Sequence, residues 1–89
     1  MGIQASIGGD ITLNVEAFKV RGLQRARLTW SGTAAPNLDV FRDGNSIATV
    51  GNTGEYVDEI NRRGGGSYLY QVCEVESEVC SEQVAATFQ

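Results

Sequence analysis

The chain has 89 residues, 42% of them hydrophobic, which is enough for one domain with one core and too little for two. Seven Lys and Arg against eleven Asp and Glu leave a net charge of −4, which makes a nucleic-acid polyanion a poor partner. The absence of histidine excludes imidazole general-base chemistry, His-ligated zinc and every Ser-His or Cys-His nucleophile.

Residues 1–10 are small and loosely patterned, and read as a linker with Met1 and Gly2 as added residues. They have neither the basic start nor the apolar core of a signal peptide. Met1-Gly2 with Ser6 matches a myristoylation signal only in form. The folded unit is expected over residues 11–89, and no apolar run in it approaches the ~20 residues of a membrane span.

From Ile11 the chain alternates, with Ile11, Leu13, Val15 and Ala17 on one side and Thr12, Asn14 and Glu16 on the other. That is strand period. The parity changes at Phe18 and Val20, which predicts a bulge or kink there. The second strand sends Ala26, Leu28 and Trp30 one way and Arg25, Arg27 and Thr29 the other. A loop over 31–37 precedes a third strand, Leu38 to Arg42. Asp43-Gly44 then signals a two-residue hairpin turn, which predicts that Val40 faces Ile47.

Gly51 to Gly54 form another turn, and Tyr56-Val57-Asp58 a short extended piece. The loop from Ile60 ends in Gly64-Gly65-Gly66. A sixth strand follows over Ser67–Val75, with Tyr68, Tyr70 and Val72 on one face, and a seventh over Val79–Phe88. Eleven glycines, one proline and turns every 8–12 residues suit an all-β, seven-strand antiparallel sandwich of two sheets.

The two cysteines, Cys73 and Cys80, cannot assemble a Cys-x-x-Cys redox motif or a four-ligand zinc set. A disulfide is the expected state, with two free buried thiols as the alternative. If Glu76-Ser77 forms the last turn, Cys73 faces Cys80 directly and the two can bond. Cys73 has the parity opposite to Tyr68, Tyr70 and Val72, so the bridge belongs on the outer face. Val84, Ala86 and Phe88 share the parity of Cys80 yet look buried. A bulge or break between Ser81 and Gln83 resolves the conflict.

Few constellations carry chemistry. Glu74, Glu76 and Glu78 around the last hairpin, and Asp58-Glu59 before the loop, invite a catalytic-pair reading, but the hairpin glutamates read as a solvated acidic tip. Asp43-Gly44-Asn45 lacks the length and terminal Glu of a calcium loop, and hairpin turns favour those residues for backbone reasons alone. The triglycine lacks the lysine and helix of a phosphate loop, and is expected to permit close packing beneath Tyr68. Lys19, Arg21, Arg25 and Arg27 predict a basic face, and Glu74, Glu76, Glu78 and Glu82 an acidic edge. No cofactor or metal is expected.

Several segments resemble a fibronectin type III-like, immunoglobulin-like module. They are Leu28-Thr29-Trp30, Val40-Phe41-Arg42-Asp43-Gly44, and Gly66-Ser67-Tyr68-Leu69-Tyr70-Gln71-Val72-Cys73. More narrowly, the chain is similar to domains appended to secreted bacterial serine peptidases of the subtilisin type. In those, a Leu-x-Trp-Ser-Gly strand, a Tyr-Arg-Asp-Gly hairpin, a Gly-Gly-Gly-Ser-Tyr-x-Tyr-x-Val-Cys strand and a closing Cys-Ser recur in this order. Phe41 departs from the family's Tyr.

The resemblance implies that Trp30 is the core tryptophan. It also implies that Tyr68 is a corner tyrosine bonding back to the chain just upstream. Trp30, Tyr68 and Tyr70 are thus expected to be structural core. The implied role is a non-catalytic, secreted, monomeric accessory module, itself no enzyme. Its partners would be the parent catalytic domain and a protein or polysaccharide substrate, with outward Arg25 and Arg27, and then Phe41, as the candidate contact surface. The alternative is a carbohydrate-binding or spacer module of a secreted glycoside hydrolase. Against it, few aromatics remain for a sugar-stacking platform, Phe41 and Tyr56 being the candidates.

Overall fold

Strand period governs the architecture. The computed structural model describes residues 11–89, and the linker and myristoylation readings of residues 1–10 lie outside them. Seven strands follow in order: β1 (Thr12–Val20), β2 (Leu23–Ser31), β3 (Asn37–Arg42), β4 (Asn45–Gly51), β5 (Glu55–Glu59), β6 (Gly66–Glu74) and β7 (Val84–Phe88). Among the described residues there is no helix long and apolar enough to cross a membrane. All pairings are antiparallel, in sheets ordered β1-β2-β5 and β4-β3-β6-β7.

The two sheets pack as a sandwich whose core uses one parity of each strand. Leu13, Ala26, Leu28 and Trp30 come from the first sheet; Leu38, Val40, Tyr70, Val72, Ala86 and Phe88 come from the second. Leu28, Leu38, Val40, Tyr70 and Val72 are fully buried. Each such side chain contributes about 1.5–3 kcal/mol relative to exposure. Trp30 and Tyr70 therefore sit in the core as the alternation indicates. Tyr68 is half-buried at the core's margin and meets Phe88 edge-on, with ring centroids 6.0 Å apart.

Three local expectations need correction. β1 pairs with β2 without interruption from Thr12↔Ser31 to Val20↔Leu23, so no bulge occurs at Phe18. Phe18 lies on the outer face because the guanidinium of Arg27 covers its ring, 5.4 Å from the centroid. The Asp43-Gly44 turn forms as expected, with φ of 53° and 84°, the double positive φ of a type I′ hairpin. The ladder then slips beyond Phe41↔Ser46, so Val40 faces Ala48, not Ile47. Ile47 is the extra residue of a bulge. The last strand begins at Val84 and not at Val79.

The reason lies at Ser81, which is fully buried. Its N–H donates to the Val72 carbonyl at 2.7 Å, and the Val72 N–H donates to the Ser81 hydroxyl at 3.1 Å. A side chain thus takes the place of a backbone acceptor and ends the ladder. Cys73 faces Cys80 and is bonded to it. Gly66↔Phe88 through Tyr70↔Val84 run one residue out of that register. The break expected between Ser81 and Gln83 is present, and it returns Ala86 and Phe88 to the core.

Candidate functional site

The outward residues of β2 stand among carboxylates. Arg25 approaches Glu59 at 3.5 Å, and Arg27 approaches Glu55 at 3.3 Å and Glu16 at 3.6 Å. β1 and β5 place these three glutamates on the same face as the two arginines, so the expected basic face is absent. Phe41 points outward from the other sheet. Its face-mates are Ser46 and Thr49 on β4, Leu69 and Gln71 on β6, and Ala85 and Thr87 on β7. Asp39 also lies on that face, and it accepts a 2.6 Å hydrogen bond from Thr49. Arg25 and Arg27 therefore lie opposite Phe41, and the three do not form one patch.

The sandwich also holds a charged cluster at one end of its interior. Arg42 ends β3 with the inward parity of Leu38 and Val40. Asp58 on β5 pairs with inward Ala26. The two side chains meet across the sheets, Arg42 Nη1 donating to Asp58 Oδ2 at 2.6 Å. Tyr70 donates its hydroxyl to the same oxygen at 2.6 Å. Asp58 is only 6% exposed, unlike the solvated Glu76 and Glu78 of the last hairpin.

Burial, and then the bond to Asp58, raise the Tyr70 phenol well above its ordinary pKa. Burial pulls the Arg42 guanidinium down, but the hydrogen bond and charge of Asp58 outweigh it and raise its pKa. Tyr56 is raised by burial and by the nearby Asp58 charge. Tyr56 also packs against the core, which removes it as a sugar-stacking residue.

A second network centres on Gln24, fully buried on β2. Tyr68 donates its hydroxyl to Gln24 Oε1 at 2.7 Å, and Gln24 Nε2 donates to the Gly64 carbonyl at 2.9 Å. The upstream contact implied for Tyr68 is therefore relayed through Gln24. The glycines allow the approach: a Cβ at Gly65 would stand 3.1 Å from the Phe88 carbonyl, and one at Gly66 3.3 Å from the Tyr68 hydroxyl. Gln24 also grips the loop through its backbone, its N–H on the Arg62 carbonyl at 2.8 Å and its carbonyl taking the Asn61 N–H at 2.9 Å.

Trp30 donates its indole N–H to Asn52 at 2.9 Å, and Asn52 in turn donates to the carbonyls of Thr33 and Ala35. Sequence reasoning missed Gln24, Arg42 and the inward placement of Asp58. The parity shared by Gln24 with Ala26, and by Arg42 with Val40, was the available signal. Among the described residues no three His, Cys, Asp or Glu side chains converge as metal ligands. No family model, curated protein or solved structure matches the chain.

Proposed function

We infer that the chain is a non-catalytic accessory module of a secreted bacterial serine peptidase of the subtilisin type. It attaches, spaces or docks the catalytic domain and is itself no enzyme. The observation that carries this reading is the ordered series of Leu28-x-Trp30-Ser31-Gly32, Phe41-Arg42-Asp43-Gly44, Gly64 to Cys73 and Cys80-Ser81. A seven-strand two-sheet sandwich agrees with a fibronectin type III-like module. A disulfide suits an extracellular location. Its partners are the catalytic domain and a bulky protein substrate. The module works as a monomer.

The contact belongs on the face of Phe41 and Leu69 and not on that of Arg25 and Arg27. Leu69 is 43% exposed, and the surrounding Ser, Thr, Gln and Ala side chains cost little to desolvate. Adsorption of the purified chain to insoluble protein fibres tests this. Binding should persist in high salt and fall on Phe41→Ser with Leu69→Ser. A salt-sensitive loss on Arg25→Glu with Arg27→Glu would move the contact to the opposite face. No adsorption to any fibre would leave a spacer role alone.

A further inference from the structure

A pocket of about 440 Å³ lies between the β3–β4 hairpin and the loop after β5. Its size is within the range of small-molecule sites, roughly 300–1,000 Å³. Arg42, Asp43, Asn45 and Ile47 line it from the hairpin, and Ile60 and Arg62 from the loop. Tyr68 completes the wall.

Both walls are held in place. Asp58 fixes the Arg42 guanidinium, and Gln24 fixes the Tyr68 hydroxyl and the backbone of Asn61 and Arg62. A wall set by neighbours need not be ordered on binding. Two backbone irregularities also converge there. The β4 bulge inserts Ile47, which lines the pocket, and bulges commonly re-aim side chains at sites. Asn61, between the lining residues Ile60 and Arg62, has a φ of 62°, which is costly for a residue with a Cβ.

The chemistry of the lining selects the ligand class. It offers two guanidiniums, one carboxylate and one amide. Asp58 already neutralises Arg42, and Asp43 balances Arg62 in number. A charged ligand gains no net attraction from such a lining, and an anion is further opposed by the chain's net charge of −4. The side chains of Arg62 and Asn45 have no hydrogen-bond or ion-pair partner among the described residues. Asp43 Oδ1 accepts from the Leu69 N–H at 2.9 Å, which leaves Oδ2 open. The lining thus offers donors from Arg62 and Asn45 and acceptors from Asn45 and Asp43 beside the apolar side chains of Ile47 and Ile60. Adjacent hydroxyls on a ring with a C–H face match that arrangement. A pocket of this kind needs no stacking platform.

We propose that the pocket of Arg42, Asp43, Asn45 and Arg62 binds a neutral sugar residue, the end or branch of a glycan, through neighbouring hydroxyls. The proposal does not depend on the peptidase reading. Titration of the ¹⁵N-labelled chain with glucose, galactose, mannose and N-acetylglucosamine tests it, with glucuronate and glycine in parallel. One or more of the neutral sugars should shift the amides of Asp43, Asn45 and Asn61, with a dissociation constant on the order of 1 mM. Arg62→Gln and Asn45→Ala should each weaken binding about tenfold while leaving the thermal midpoint unchanged. Four outcomes overturn the proposal: no shifts with any neutral sugar, shifts centred elsewhere, a response to glucuronate alone, or a response to glycine alone.

Discussion

Arg42 on β3 and Asp58 on β5 join the two sheets through a 2.6 Å ion pair at the margin of the core. Tyr70 shares the same carboxylate oxygen, so one acidic group organises residues from three strands. Removing that group strands the buried Tyr70 hydroxyl and the partly exposed Arg42 guanidinium, whereas removing either partner leaves Asp58 one of its bonds. Asp58→Ala should therefore cost about 3 kcal/mol, and Tyr70→Phe about 1–2 kcal/mol. Urea unfolding measures both. A loss under about 0.5 kcal/mol for Asp58→Ala, the range of an ordinary surface change, would show that the cluster adds nothing.

Stability should fall in alkali through Tyr70. Its phenol is held above the ordinary value in the folded chain, and the unfolded chain ionises near pH 10. A raised folded pKa stabilises fully below the unfolded value, and that stability is lost as pH climbs through the folded one. The wild-type urea midpoint should decline above about pH 10. Tyr70→Phe should be less stable at neutral pH and show a shallower decline. Equal slopes for the two proteins would contradict this.

Tyr68 and Gln24 should be energetically coupled. Tyr68→Phe and Gln24→Ala each break the 2.7 Å hydrogen bond, and each is expected to cost about 1–2 kcal/mol. In the double variant the losses should fall short of the sum by about 0.5–1.5 kcal/mol. Strict additivity would show that the hydroxyl is solvated and only the ring matters.

Reduction of Cys73–Cys80 should lower stability by about 2–3 kcal/mol without unfolding the chain at room temperature. The bridge closes a loop of sequence separation 7, and short loops give the smaller entropic gains. Alkylation of the unreduced, denatured chain followed by mass spectrometry should find no free thiol. Incorporation of two labels would refute the bond.

Alternation made most of the fold legible. Ala26, Leu28 and Trp30 against Arg25 and Arg27 revealed both the strand and its buried face. Conflicting parities at Cys80 and Val84 placed the break before it was visible, because a one-residue slip is the only way to reverse a strand's faces. Phe18 misled because an aromatic out of phase reads as a bulge, while its actual partner is a cation on the next strand. Val40 slipped to Ala48 because turn residues set register only up to the first bulge. Asp58 was illegible for another reason. Its neutraliser, Arg42, lies 16 residues away on the other sheet, and no local pattern reports a contact between sheets. The pocket follows from that bridge and from Gln24, so it shared the same obscurity.

The proposed role as an accessory module is tested most directly by deleting residues 11–89 from the proposed parent peptidase and comparing kinetics on short peptides and on fibrous protein. A separately folded appendage gives no transition-state contact unless it lines the active site. It raises the local concentration of enzyme on a large substrate, because a tethered second contact is intramolecular. The expected result is unchanged kcat and KM on short peptides with slower release of product from fibres. A large fall in kcat on a short peptide would contradict this, because the module would then belong to the active site.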